Sequence, residues 1–174
     1  HYPLRRQRQM CIRDRLLAAP LARSPVTIEV SGQLVSRPYI DLTLGVMQRF
    51  GVEVQRLSES RFQVAPQPYL ASDFAIEPDA SSASYFFAAA AICRGTIRIE
   101  GLGINSLQGD LHFVELLKKM GCDVQMTSQE TQVTGGDLYG IDCTMTEISD
   151  TVQTLAAVAL FAHGPTRIRG VAHI

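Results

Sequence analysis

The stretch that decides the fold is residues 77–93, EPDASSASYFFAAAAIC. It opens with two acidic residues and a pair of serines, and it then continues through apolar residues without interruption. Ser81 or Ser82 can cap the start of a helix, because a side-chain oxygen there accepts a hydrogen bond from an unpaired backbone N–H. The four successive alanines favour helix, and Gly95 suits the left-handed position that ends one. The stretch therefore predicts a helix that is apolar on nearly all faces and buried between other layers.

The segments on either side of this helix repeat each other. The string TIEVSG at 27–32 matches TIRIEG at 96–101, an offset of 96 − 27 = 69 residues. The string FGVEVQ at 50–55 matches MGCDVQ at 120–125, an offset of 120 − 50 = 70 residues. A repeat of this length is longer than that of common solenoids, which is about 20–50 residues. We therefore expect each copy to be a small subdomain with its own helices and sheet.

Each copy has the predicted order helix, strand, helix, β-hairpin. In the first copy the second helix starts near Pro38, which suits the first helical position, and ends at Gly51. In the second copy Asp110 can cap the corresponding helix, and Gly121 ends it. A third copy begins with a helix over 150–162. The other predicted elements are strands at 26–30, 96–101 and 166–170, hairpins at 52–64 and 122–134, and a proline-containing linker at 65–72.

The composition excludes two classes of protein. The chain has 174 residues with 46% hydrophobic and 19% charged residues, which is ordinary for a soluble globular protein. Its apolar runs are shorter than the roughly 20 residues of a membrane span. Residues 16–174 carry 11 basic and 16 acidic residues, a net charge of 11 − 16 = −5. An acidic body argues against general nucleic-acid binding, which depends on Lys and Arg at phosphates.

Residues 1–15 differ from the rest of the chain. They carry five arginines and one aspartate, and they show neither helical nor strand periodicity. They also lack the apolar core of a signal peptide. One interpretation is a basic arm that binds nucleic acid. The interpretation we favour is a foreign leader joined at about Arg15, which is set aside when the fold is predicted.

The cysteines predict a compartment rather than a metal site. The four of them, Cys11, Cys93, Cys122 and Cys143, form no CxxC pair and no Cys/His ligand spacing. We interpret them as buried small hydrophobic residues in a reducing compartment, hence the cytoplasm; a metal or disulfide role is the alternative.

Three polar clusters occur at predicted helix starts. The first is SRPY at 36–39, where free N–H groups, a hydroxyl and an arginine form a possible anion site; the alternative is an N-cap beside a surface arginine. The second is NSLQGD at 105–110, which predicts a turn and a cap. The third ends at Asp150, which is either a cap or a base that accepts a proton from a substrate hydroxyl.

Five strings occur in one order along the chain: LVSRPYID at 34–41, PDASSASYF at 78–86, SLQGD at 106–110, MGC at 120–122 and ISD at 148–150. Together they resemble the 3-phosphoshikimate 1-carboxyvinyltransferase (EPSP synthase) family of enolpyruvyl transferases. The resemblance covers residues 16–174 and the middle of that family's chain. It implies an α/β (α+β) fold of two domains, an inside-out α/β barrel in which each domain has three βαβαββ subdomains. Residues 16–76 would end the first domain and residues 77–174 would start the second, so the fold is expected to be truncated at both ends.

The resemblance also implies a reaction. The family transfers the enolpyruvyl group of phosphoenolpyruvate to the 5-hydroxyl of shikimate 3-phosphate and releases phosphate, with no metal or organic cofactor, and the full-length enzyme is expected to be a monomer. Ser36 and Tyr39 would bind shikimate 3-phosphate, and Arg37 would add a supporting charge. Asp150 would hold the attacking hydroxyl and act as acid and base. His173 stands where the family commonly has an asparagine that touches the substrate, and a histidine can still donate a hydrogen bond there.

The chain also departs from the family. Both substrates are polyanions that need converging Lys and Arg side chains, yet the only lysines are Lys118 and Lys119. The family's Ser-Ser-Gln motif is missing before Leu16, and so is the basic motif expected after Ile174. We therefore expect this chain alone to be inactive. The alternatives are the related transferase that acts on UDP-N-acetylglucosamine and a non-catalytic repeat scaffold.

Overall fold

The computed structural model of the protein describes residues 3–31, Leu34 and residues 37–172, with residues 3–10 described by their backbone alone. The chain separates into two compact units, residues 1–75 and residues 76–174. Among the described residues, no helix is both long enough and apolar enough to cross a membrane.

The first unit packs two helices on one face of a three-stranded sheet. The sheet is antiparallel with the strand order β1-β3-β2. Leu16, Ile40, Met47 and Phe62 are fully buried between the helices and the sheet. In chain order the elements are α1 (Pro3–Ala18), a 3-10 turn (Ala19–Leu21), β1 (Val26–Glu29), α2 (Arg37–Arg49), β2 (Val54–Ser58) and β3 (Arg61–Val64).

Helix α1 corrects one prediction. Most of the stretch 1–15, for which no element was predicted, is helical, and Ile12 lies in the core beside Leu16 and Ala19. These three side chains follow the helical spacing i, i+4, i+7. They form a narrow stripe among arginines and glutamines, which is why the pattern was missed. The foreign origin of residues 1–15 stays a prediction.

The second unit repeats this arrangement and extends it. Its main sheet is antiparallel with the order β4-β6-β5, and β7 pairs with β8 in parallel. The elements are α3 (Ala80–Cys93), β4 (Thr96–Glu100), a 3-10 turn (Gly109–His112), α4 (Phe113–Met120), β5 (Asp123–Met126), β6 (Glu130–Thr134), β7 (Asp142–Thr144), a 3-10 turn (Ser149–Thr151), α5 (Val152–Ala159) and β8 (Arg167–Arg169).

The two main sheets share their topology. In the first, the inward residue Ile28 lies opposite Phe62; in the second, Ile97 lies opposite Val133. The predicted repeat of helix, strand, helix and hairpin is therefore present twice. The third copy differs from its prediction, because its helix covers Val152–Ala159 rather than 150–162. Strand β7 was not predicted, since three residues carry little periodicity and their partner β8 is distant in sequence.

The ends of α3 differ from the prediction. The N-cap is Asp79, whose side chain accepts from the backbone N–H of Ser81, so neither serine is the cap. At the other end Arg94, with φ +55°, takes the left-handed position expected of Gly95. Tyr85 and Phe86 are exposed on the outer face of α3, so the helix is buried on most of its surface but not on all of it.

We expect Gly121→Ala to lower the free energy of unfolding of the chain by about 1–3 kcal/mol. Gly121 ends α4 with φ +114°, which strains any residue with a Cβ. Gly95→Ala is the matched control, because its φ is not positive and no heavy atom lies within 4 Å of the added methyl. Urea unfolding followed by circular dichroism measures both variants, and equal losses of stability would contradict the assignment.

Candidate functional site

Two helix starts carry the residues predicted to bind substrate or to move protons. Arg37 and Tyr39 lie in the first turn of α2, in the first unit, and Asp150 lies in the 3-10 turn before α5, in the second unit. The predicted residues Ser36 and His173 lie outside the described residues.

Arg37 is held by carboxylates of its own unit. Its Nη1 lies 2.5 Å from Glu59 Oε2, and its Nη2 donates to Glu59 Oε1 at 3.5 Å. Its Nε lies 3.8 Å from Asp41 Oδ2, one turn further along α2. Glu59 comes from the turn between β2 and β3. The arginine predicted as a supporting charge is therefore already paired with two acidic side chains.

Tyr39 is fixed through its backbone. Its carbonyl accepts a hydrogen bond from Thr43 Oγ1 at 2.9 Å, and that hydroxyl oxygen of Thr43 in turn accepts one from Arg13 Nε at 2.8 Å. Thr43 is buried. Helix α1 thus contacts α2 through Arg13 and Thr43, and the Thr43 hydroxyl extends this contact to the carbonyl of Tyr39 in the first turn. The sequence could not indicate the contact, because no element was predicted over residues 1–15.

Asp150 projects from a turn whose neighbours are anchored. Ser149 and Thr151 on either side of it are buried, whereas Asp150 is exposed. Its Oδ1 lies 3.5 Å from Ser149 Oγ, and the N-cap position of α5 belongs to Thr151. The turn is therefore held on both sides of Asp150, and the Asp150 side chain extends from it towards solvent.

A polar network that the sequence analysis missed joins the start of α3 to the loop before α4. Gln108 Nε2 donates to Glu77 Oε2 at 3.0 Å and to the carbonyl of Pro78 at 2.7 Å. Gln108 Oε1 accepts from the backbone N–H of Ala80 at 2.8 Å, and Ser106 Oγ donates to Glu77 Oε2 at 2.5 Å. One glutamine side chain thereby fixes the backbone that leads into α3. The string NSLQGD predicted a turn and a cap, but nothing local indicated a partner some 30 residues away.

The serines of α3 donate to two aspartates. Ser81 Oγ donates to the buried Asp110 at 2.5 Å, and Ser82 Oγ donates to Asp79 at 2.7 Å. The hydroxyl of Ser82 is the largest cause that holds the pKa of Asp79 below its ordinary value, with help from the backbone N–H groups of Ser81 and Ser82. Asp110 lies in the 3-10 turn Gly109–His112, and the N-cap position of α4 belongs to His112 rather than to Asp110.

In the described part of the chain, no group of three or more His, Cys, Asp and Glu side chains is placed to hold a metal ion. Cys122 and Cys143 are buried, and burial raises the pKa of both thiols. Cys11 and Cys93 are exposed, so the prediction of burial was wrong for these two.

Solved structures identify the class of fold. The chain superposes on EPSP synthase from Acinetobacter baumannii with a TM-score of 0.71 at 22% identity, covering 89% of this chain and 36% of that one. It superposes on the enolpyruvyl transferase NikO from Streptomyces tendae with a TM-score of 0.67 at 21% identity, covering 88% and 37%. The predicted α/β fold, that of the enolpyruvyl transferases, is therefore confirmed.

Sequence comparison narrows the class to a family. The family model of EPSP synthase (3-phosphoshikimate 1-carboxyvinyltransferase) matches residues 10–174, so the chain belongs to that family. It is 48% identical to the 3-phosphoshikimate 1-carboxyvinyltransferase of Edwardsiella ictaluri over 158 residues, which are 90% of this chain and 37% of the relative. Against the enzyme of Nostoc punctiforme the identity is 48% over 161 residues, covering 91% and 38%. The chain thus spans less than two fifths of the length of these relatives.

We expect Gln108→Ala to lower the free energy of unfolding by about 1–3 kcal/mol, because it leaves Glu77 and the N–H of Ala80 without their bonds to this side chain. Gln125→Ala on the exposed β5 removes only a bond to Asp123 and should cost about 0.5 kcal/mol or less. Chemical denaturation measures both. A Gln108 variant as stable as the Gln125 variant would show that the network does not stabilise α3.

The lowered pKa of Asp79 predicts a pH dependence. A carboxyl whose pKa is lower in the folded state stabilises the fold above its ordinary pKa, and this stabilisation is lost as pH falls below about 4. Ser82→Ala removes the largest cause, so the pKa of Asp79 should rise towards its ordinary value. NMR titration of the Asp79 carboxyl measures this shift, with Ser72→Ala as the control. Identical titration curves in the two variants would contradict the assigned cause.

Proposed function

We propose that this chain is part of an enzyme that transfers the enolpyruvyl group of phosphoenolpyruvate to the 5-hydroxyl of shikimate 3-phosphate and releases phosphate. The observation that carries the proposal is the family match over residues 10–174 together with 48% identity to 3-phosphoshikimate 1-carboxyvinyltransferases. The enzyme works in the cytoplasm as a monomer, without cofactor or nucleic acid.

The two helix starts have different roles in the proposed reaction, substrate binding and proton transfer. Ser36 and Tyr39 bind shikimate 3-phosphate, which the free N–H groups at the start of α2 favour because they attract anions. Asp150 accepts the proton of the 5-hydroxyl as that oxygen attacks phosphoenolpyruvate, and it can return a proton later in the reaction. Its exposed position between two buried neighbours supports this role. His173 donates a hydrogen bond to the same substrate.

The domain assignment is a proposal as well. Residues 16–76 end the first domain of the enzyme and residues 77–174 start the second, with residues 1–15 a foreign leader. The division of the described structure between residues 75 and 76 supports the boundary between the domains. Polyanionic substrates need converging cations, and the two lysines of the chain both lie on α4. The chain by itself is therefore inactive.

The test completes the chain with the segments that it lacks. In the Edwardsiella ictaluri relative, the segment that matches this chain over 158 residues is replaced by the corresponding residues of this chain, and phosphate release is measured with both substrates. We expect turnover that Asp150→Asn lowers about 100-fold or more, because general base catalysis contributes about 10²–10⁴-fold. Asp123→Asn on the exposed β5 is the control and should leave turnover unchanged.

Three results would contradict the proposal. They are absence of turnover with shikimate 3-phosphate, turnover with UDP-N-acetylglucosamine in its place, and full activity of the Asp150→Asn variant. Turnover by the 174-residue chain alone would contradict only the statement that the chain is inactive by itself.

A further inference from the structure

We propose that Arg37 is a positioning residue: it holds the first turn of α2 against the β2–β3 turn through Glu59 and does not contact the substrate phosphate. The inference rests on the proposed function, since it concerns the helix start that would bind shikimate 3-phosphate. It replaces the role of supporting charge that the sequence suggested for this arginine.

The guanidinium group of Arg37 faces two carboxylates of its own unit. Its Nη1 and Nη2 both face Glu59, at 2.5 and 3.5 Å, and its Nε faces Asp41 at 3.8 Å. An arginine presents its donors in a fixed planar fork, so an orientation that serves two carboxylates also fixes the side chain. A phosphate could take the end of the fork formed by Nη1 and Nη2 only by displacing Glu59.

The pairing continues towards the core. Asp41 also pairs with Arg56 on β2, and the guanidinium of Arg56 lies over the ring of Phe62, 5.4 Å from its centroid. Phe62 is fully buried. The ion-pair network Glu59, Arg37, Asp41 and Arg56 therefore connects the first turn of α2 with the hairpin and, through Arg56, with the core.

Glu59 stands on a fixed turn. The next residue, Ser60, donates its N–H to Ser58 Oγ at 3.3 Å and accepts a hydrogen bond from Val30 N at 2.8 Å. The pairing register of β2 and β3 shifts between Arg56 and Ser58, and such a bulge bends the strand locally. The carboxylate that orients Arg37 thus extends from a backbone that is held on both sides.

The charge balance points the same way. Two arginines and two carboxylates make the network neutral, so it offers a polyanion no net attraction. The Glu59 carboxylate beside Arg37 would also repel a phosphate. An isolated exposed ion pair contributes little, but a network of several charges can hold a geometry. Arg37 therefore contributes to substrate binding by orienting the helical turn that carries Tyr39, not by attracting the phosphate.

The test uses the completed enzyme described above and measures KM for shikimate 3-phosphate and kcat separately. We expect Glu59→Gln and Arg37→Gln each to raise KM about two- to fivefold with kcat unchanged, and the double variant to raise it no further. Exchanging the two charges, Arg37→Glu with Glu59→Arg, should restore KM to within about twofold of the parent. Glu53→Gln, which removes the same charge from an exposed position of the same unit, should leave KM unchanged.

A direct contact between Arg37 and the phosphate gives the opposite result. Glu59→Gln would then free Arg37 and lower KM or leave it unchanged, and the charge exchange would fail to restore binding. Either outcome overturns the inference but leaves the proposed function intact. If the completed enzyme shows no turnover, the proposed function fails and this inference fails with it.

Discussion

Burial of one sheet face under two helices is the constraint on which the rest of this structure depends. A three-stranded sheet has an apolar face that must be covered, and in each unit the covering comes from one helix before the first strand and one after it. The inward pairs, Ile28 with Phe62 and Ile97 with Val133, place apolar side chains opposite each other on the covered face of both sheets. A slip of one residue would turn each apolar side chain towards solvent. The repeat in sequence therefore reflects the same packing of two helices on a three-stranded sheet in both units.

This packing leaves polar chemistry to the helix starts and the turns. Because the helices and sheets cover each other with apolar side chains, the carboxylates, hydroxyls and arginines of interest gather where helices begin. Some of them serve the fold: Gln108 fixes the backbone ahead of α3, and Asp79 caps that helix. Asp150 differs from these two, because it lies outside the cap position and remains exposed. The same kind of location thus carries both structural and candidate catalytic side chains.

The contacts of Arg37 change the role that its position in the sequence suggests. In the sequence, an arginine beside a serine at a helix start suggests anion binding. In the structure, the same guanidinium group is paired with Glu59, which is 22 residues away. A charge that is already neutralised acts on its surroundings by geometry more than by attraction. Glu59 comes from the turn between β2 and β3. The core beneath that turn sets its position relative to α2.

The sequence by itself determined the repeat, most of the elements and the family, because apolar periodicity, glycine at helix ends and short motif strings are local signals. It placed β1 to β6 and the helices α2 to α5 with errors only at their ends. Most of helix α1 was missed, since polar residues separate Ile12 and Leu16, the buried side chains among those described in this helix. The parallel pair β7–β8, the bonds of Gln108 and the pairing of Arg37 were decided by tertiary structure alone. Each of these joins residues about 20 to 30 positions apart, and a contact of that kind exists only once packing has brought the two segments together.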